Sequence, residues 1–352
     1  MSKASAARRL AAAAAFGGGG LGLVGGSLYA VLHAEAKLAR QRIGKTKTVP
    51  PDPSGLYGTH LPGSAISLAV LGDSGAAGYG AMAPEETFGA FLAAGLSDLA
   101  QRPVSLHSVA RVGAQTSDLE GQIPRALAAL PDVCAIIIGT NDVTHKVRPS
   151  QSVRSLQDAV ESLRSAGTQV VVGTCPDLGT LRPVAPPLRQ VARHWSRRLA
   201  AAQTIAIVEA DGRSVSLGSI LGPEFAASPS DMFGPDQFHP SPAGYKACAA
   251  AMLPTVAEAV GVVVDDTAEP EALRGEGVFS LDRAAAAAAE STGTEVSRAA
   301  VDGGEHGPRG RWVLIRHRRR HAIPEVGDVE PDPDNREDSD GSADGETTMR
   351  TK

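Results

Sequence analysis

Between residues 66 and 260 short apolar runs alternate with longer stretches of helical spacing, and this rhythm constrains the fold more than any other feature of the chain. Residues 66–71, 104–109, 133–138, 170–172 and 205–208 read as strands. Residues 87–99, 119–130, 152–165, 188–201 and 243–260 read as helices between and after them. A strand that is apolar on both faces must be covered on both, and a helix between two strands returns the second in the direction of the first. The pattern predicts one α/β domain with a parallel sheet and helices on both faces. A stretch of roughly 200 residues suits such a domain.

The ends of the chain read differently. Residues 10–33 contain no Asp, Glu, Lys or Arg and are long enough to span a bilayer as a helix. Lys3, Arg8 and Arg9 precede them, and Glu35, Lys37, Arg40 and Arg42 follow. Residues 1–47 are read as an uncleaved membrane anchor with a basic flank. A cleaved signal peptide is the rival, because Ala34-Glu35-Ala36 fits a cleavage site. The larger positive charge is C-terminal, which would leave the domain cytoplasmic, but both flanks are positive and leave the side of the membrane open. Residues 48–64, rich in Pro and Gly, read as a linker, and 65–262 as the folded domain. Residues 263–352 read as a disordered, acidic tail, with one Ala-rich segment at 283–290 that is helical on its own terms.

Composition limits the partners. A formal net charge of −5 argues against nucleic acid. Three cysteines are too few and too odd in number for a disulfide framework; Cys134, Cys175 and Cys248 read as small buried hydrophobes. No Cys-x-x-Cys occurs, and the one His-x-x-x-His, from His317 to His321, encloses three arginines that would repel a cation. No metal and no cofactor are expected.

Four short motifs stand at the ends of strands or before the last helix. Gly72-Asp73-Ser74 follows the first strand and is trailed by Gly75, Gly78 and Gly80. It offers a hydroxyl where ligands bind a parallel sheet, although a glycine-rich turn with a serine also suits a phosphate. Gly113 stands in a turn after the second strand, and Gly139-Thr140-Asn141-Asp142 follows the third. Asp236-Gln237-Phe238-His239 precedes the closing helix. Three residues is a suitable distance for an Asp to orient a His ring within one turn. Together these residues supply a nucleophile, donors for an oxyanion, and a base with its orienting acid, which is the set that acyl transfer needs.

In this combination the chain resembles the SGNH hydrolases, also called the GDSL lipase/esterase family. Gly72-Asp73-Ser74-Gly75-Ala76-Ala77-Gly78 matches the family's Gly-Asp-Ser-x-x-x-Gly block, Gly139-Thr140-Asn141-Asp142 its Gly-x-Asn-Asp block, and Asp236-Gln237-Phe238-His239 its Asp-x-x-His block. Gly113 stands where the family has an oxyanion glycine. The resemblance implies a three-layer flavodoxin-like fold with five parallel strands in the order 2-1-3-4-5. It implies Ser74 as nucleophile, His239 as base and Asp236 as its orienter. The implied oxyanion hole comprises the N–H groups of Ser74 and Gly113 and the Asn141 amide, with Asp73, Gly139 and Asp142 in support. One departure is Arg111 in Ser108-Val109-Ala110-Arg111-Val112-Gly113, where the family often has an Asn. It is read as a surface residue, the alternative being an anion contact. The expected function is a membrane-anchored serine hydrolase that cleaves small-molecule, lipid or glycan esters through an acyl-enzyme. A carbohydrate O-deacetylase or thioesterase on the same site is the alternative, and a membrane-tethered binding protein with an inactive site is the alternative of another class.

Overall fold

The computed structural model describes residues 32–38, 49–263, 277–291, 293–299, 312–318, 320–323, 325–326 and 330–331. Strands β1 (Gly55–Tyr57), β2 (Ile66–Gly72), β3 (Val104–Ser108), β4 (Val133–Ile137), β5 (Gln169–Gly173) and β6 (Arg213–Val215) lie side by side as β1-β3-β2-β4-β5-β6. Neighbours from β3 to β6 are parallel, and β1 runs antiparallel to β3. Helices α1 (Phe88–Ala100), α2 (Leu119–Ala128), α3 (Thr140–Thr144), α4 (Pro149–Ser165) and α5 (Leu188–Glu209) fill the crossovers. After β6 come α6 (Leu217–Ala227), α7 (Pro229–Met232) and α8 (Pro242–Ala259).

The two-residue period of β2 divides the core. Leu68 and Val70 face a layer built on α1 and α8, where they join Phe88, Leu92, Leu253 and Val256. Ala69 and Leu71 face the opposite layer, where α2, α4 and α5 contribute Leu119, Ile123, Leu156, Val160 and Ile207. All four β2 side chains are fully buried, as a central parallel strand requires. The helices start where local chemistry permits. Thr87 caps α1 by accepting from the Ala90 N–H, and Ser241 caps α8 by accepting from the Gly244 N–H, with Pro242 in its first turn.

The structure corrects several expectations. The sheet is mixed and has ten strands rather than five, with antiparallel strands added on both sides of the parallel run β3-β2-β4-β5-β6, in the order β10-β1-β3-β2-β4-β5-β6-β8-β9-β7, where β7 is Gly277–Ser280, β8 Thr294–Arg298, β9 Trp312–His317 and β10 Glu330–Pro331. Residues 205–208 are not a strand but the last turns of α5. Their β-branched residues serve two faces of a helix, Ile207 toward α4 and Val208 toward the C-terminal strands. The strand comes after a left-handed turn at Asp211 (φ 62°), at Arg213–Val215. The linker at 48–64 contains β1, whose Tyr57 is buried and donates its hydroxyl proton to the Pro53 carbonyl.

The region read as a tail is the largest correction. β8 pairs antiparallel with β6, β9 with β8 and β7 with β9. Helix α9 (Leu281–Ala288), the Ala-rich segment, packs Leu281, Ala284 and Ala288 against Val296, Val313, Ile315 and Val208. Fully buried Glu295 accepts from Arg318 and from Thr255 of α8, at 2.9 Å each, and lies 3.3 Å from Arg213 of β6. An acid held by donors from β6, from α8 and from the residue after β9 ties the C-terminal strands to the domain. The acidic stretch from 332 to 345 lies outside the described residues, as does the charge-free segment at 10–33 apart from Leu32 and His33. Among the described residues no helix is long and apolar enough to cross a membrane.

Candidate active site

The site grows from the C-terminal end of β2. Gly72 has φ 134°, and a Cβ there would lie 2.0 Å from the Ile137 carbonyl oxygen, so only glycine fits. Its N–H donates to Gln122 Oε1 (2.8 Å), and Gln122 Nε2 donates back to its carbonyl (2.9 Å). With β2 pinned to β4 and α2, the chain turns. The Ala77 N–H reaches the Asp73 carbonyl and the Tyr79 N–H the Ser74 carbonyl, both at 3.0 Å, which leaves Ser74 at the head of the strand.

His239 arrives from the far end of the sequence. Residues 233–240 form a closed loop: Phe233 bridges Pro240, the Gly234 N–H bonds the His239 carbonyl (2.9 Å), and Gln237 takes a positive φ of 54°. Inside it, Asp236 Oδ1 accepts from the N–H groups of Phe238 and His239, at 3.0 Å each. Asp236 Oδ2 lies 2.6 Å from His239 Nδ1, and His239 Nε2 lies 3.0 Å from Ser74 Oγ. The Tyr79 ring lies tilted over the imidazole at 4.4 Å, and Phe238 meets it edge-on at 4.9 Å.

Electrostatics set the proton positions. Burial pushes the Asp236 pKa upward, but hydrogen bonds from the His239 ring and the Phe238 N–H outweigh it and hold the carboxyl below its ordinary value. An ionised carboxylate only accepts, so Nδ1 of the neutral ring carries the proton and Nε2 presents its lone pair to the Ser74 hydroxyl. Asp73 is the opposite case. Burial pushes it up to about 7 against the opposing Gly75 N–H and His239 ring, and its buried Oδ2 has no hydrogen-bond partner.

The remaining motif residues are bolted together beside this chain. Gly113 has φ 80° with open space where a Cβ would stand. Its turn is fixed by the Arg111 N–H on the Gly72 carbonyl (3.0 Å) and the Ala114 N–H on the Arg111 carbonyl (3.1 Å). Asn141 Nδ2 donates to the Ala114 carbonyl (2.9 Å), so the third motif touches the second. Gly139, at φ 126°, begins α3, and a Cβ there would press on Cys175 and Gln203 at 3.0 Å. Buried Asp142 accepts from the Thr116 N–H at 3.1 Å. Arg111 is 69 % exposed and pairs with Asp118 at 3.2 Å.

A cavity of about 70 Å³ opens beside Ser74 and His239. Ile137, Leu178, Leu181, Leu217, Phe225 and Phe233 wall it, the two Phe rings meeting edge-on at 4.7 Å. Five of these six walls come from segments 174–187 and 214–233, which the sequence marks as pocket-building without giving their shape; Ile137, Gln122 and Tyr79 were missed as site residues. Only Tyr79 carried a signal, its place within the glycine-rich turn after Ser74. Cys248 also lines the cavity, its thiol pushed up to about 12 by burial.

Residues 70–247 match the family model described as GDSL-like Lipase/Acylhydrolase family. The GDSL-like esterase Rv1075c of Mycobacterium tuberculosis is 38 % identical over 227 residues, which cover 61 % of this chain and 72 % of that protein. Among solved structures, a catalytic mutant of Axe2, an acetylxylan esterase from Geobacillus stearothermophilus, is 18 % identical, with a TM-score of 0.43 over 57 % of this chain and 97 % of its own. The psychrotrophic esterase EstA from Pseudoalteromonas sp. is 16 % identical, with a TM-score of 0.41 over 55 % of this chain and 94 % of its own.

Proposed function

The chain belongs to the GDSL-like lipase/acylhydrolase family and is an ester-hydrolysing enzyme, and we propose that it cleaves short-chain carboxylic esters through an acyl-enzyme on Ser74. The observation that carries this reading is the hydrogen-bonded run from Asp236 through His239 to Ser74, opening on a small apolar cavity.

Ser74 Oγ attacks the ester carbonyl as His239 Nε2 takes its proton, and Asp236 stabilises the imidazolium that results. The oxyanion is met by the N–H groups of Ser74 and Gly113 and by the Asn141 amide. The carbon–oxygen bond to the alcohol then breaks, and the alkoxide leaves with the proton from Nε2. Water, deprotonated by the same nitrogen, attacks the acyl-enzyme and releases the acid. The cavity limits the acyl group. About 70 Å³ is roughly half of the ~150 Å³ that admits benzene, so an acyl chain of roughly two to four carbons fits it. The reading as a binding protein with a disabled site has no support.

Ser74→Ala tests the mechanism. Turnover of p-nitrophenyl acetate and covalent capture by a fluorophosphonate should both disappear with circular dichroism unchanged. Substantial turnover in that variant would remove Ser74 from the reaction.

A further inference from the structure

One face of the domain is strongly basic although the chain as a whole is acidic. Residues 177–208 carry five arginines and a single acid, Asp177, a surplus of four positive charges in a chain of formal net charge −5. Arg182 stands in the loop before α5, and Arg189, Arg193, Arg197 and Arg198 stand in the first three turns of the helix. The acid offsets little of this charge. Asp177 is buried and shares one oxygen between two arginines, at 3.4 Å from Arg193 Nε and 3.1 Å from Arg197 Nε. Arg189 donates to the Val184 and Arg182 carbonyls, neutral partners that leave its charge uncompensated. Arg182 and Arg198 are exposed, and neither pairs with an acid among the described residues.

α5 turns Ser196, Leu199, Ala200 and Gln203 to the interior, so these arginines project from its outer side. Trp195 stands among them, 46 % exposed. An aromatic ring with a polar N–H, set in an arginine-rich helix face, suits the boundary between water and lipid. A second observation brings a membrane to this place. Residues 32–38 form a short helix, and its Glu35 Oε2 accepts from the N–H of Leu188, where α5 begins, at 2.9 Å. The stretch without charged side chains, 10–33, ends two residues before Glu35 and is long enough to span a bilayer. Two residues of extended chain cover about 7 Å, so a chain anchored by that stretch would leave the bilayer beside α5.

We propose that the arginine face of α5 docks on an anionic phospholipid surface. The contact is made by the folded domain itself, in addition to any N-terminal anchor, and it does not depend on the ester chemistry. Guanidinium groups bond phosphate oxygens in a fork, and several basic side chains on one helix face are drawn to anionic headgroups. Leu178, Thr180 and Leu181, which lead directly into Arg182, line the acyl cavity, so docking would bring one cavity wall to the lipid surface.

The test uses the full chain with Trp312→Phe, which leaves Trp195 as its single tryptophan. The N-terminal segment can hold the chain to vesicles of any composition, so the readout is Trp195 emission rather than co-sedimentation. On vesicles of phosphatidylglycerol and phosphatidylcholine the emission should move to the blue and be quenched by acyl-brominated lipid, and high salt should reverse both. Vesicles of phosphatidylcholine alone should produce neither. Arg182→Gln with Arg198→Gln should weaken the apparent affinity for the anionic vesicles about tenfold or more, with turnover of p-nitrophenyl acetate in solution unchanged. Arg182→Lys with Arg198→Lys, which keeps the charge, should bind within a few-fold of the wild type. No shift, an equal shift on phosphatidylcholine alone, or an unchanged affinity in the glutamine variant overturns the assignment. An equal shift with soluble polyglutamate or with DNA overturns it as well, because the face would then recognise any polyanion rather than a lipid surface.

Discussion

At the scale of single residues, the strongest constraints are the positions where a particular side chain, or none, fits. Asn141 bonds the Ala114 carbonyl with its amide, which fixes that group beside the Gly113 turn. If the amide also meets the oxyanion, Asn141→Ala should cut kcat by about a hundred- to a thousandfold while KM moves little, because the charge exists only in the transition state. Steady-state kinetics on p-nitrophenyl acetate check this, and a rise in KM with kcat preserved would make Asn141 a turn residue. Asp73 makes a different prediction. Its folded pKa is raised to about 7 from an unfolded value near 4, so the folded state binds the extra proton between those values. The stability this contributes is complete below about pH 4 and is lost as pH rises through about 7. Asp73→Asn keeps an acceptor for the Gly75 N–H and has no proton to lose. Its stability relative to the wild type should therefore rise between about pH 4.5 and about pH 8 in urea unfolding. A gap that is flat or shrinks would mean that the buried carboxylate ionises at no cost. The motif residues were legible because each belongs to a short local pattern. Tyr79 and Gln122 were not, because their roles arise from what they meet across the fold.

At the scale of elements, the strands and helices with long or uniformly apolar patterns were legible, and short or half-polar elements were not. β4 reads Val-Cys-Ala-Ile-Ile and is buried throughout, so its pattern alone identifies it. β6 is three residues with an arginine at its start, and neighbouring Ile207 and Val208 drew the strand reading onto the end of α5. β8 sets one apolar residue, Val296, between polar Glu295 and Ser297, and β9 alternates buried Val313 and Ile315 with half-buried Leu314 and Arg316. Such alternation is a weak signal in an acidic, low-complexity neighbourhood, and Glu295 looks like part of that acid rather than a core residue. Removing the tail was therefore expected to leave the domain unchanged. The structure reverses that expectation. Glu295→Ala should lower stability by about 1–3 kcal/mol, because it removes one of the two carboxylate partners of buried Arg318, the other being Glu258, and takes the acceptor from the buried Thr255 hydroxyl. Urea unfolding reads the change, and an unmoved midpoint would place the C-terminal strands outside the cooperative unit.

At the scale of the whole molecule, the sequence alone determined the crossover architecture of the centre and the chemistry it presents. Period-two and helical spacing are properties of neighbouring residues, and so are Gly72-Asp73-Ser74 and Asp236-Gln237-Phe238-His239. Each can be read without knowing what lies across the fold. The mixed, ten-stranded extent of the sheet was decided by tertiary structure. A short antiparallel strand gains its stability from the edge it covers, as β1 does on β3 and β8 on β6, and that edge is absent from its own sequence. The same holds for the site. Ser74 and His239 are 165 residues apart in the chain and 3.0 Å apart in space, a distance set by the Gln122 clasp on β2 and by the closed loop at 233–240. The cavity beside them is decided there too. Its volume depends on side chains from five or more segments meeting at one rim, and no local pattern encodes the space left between them.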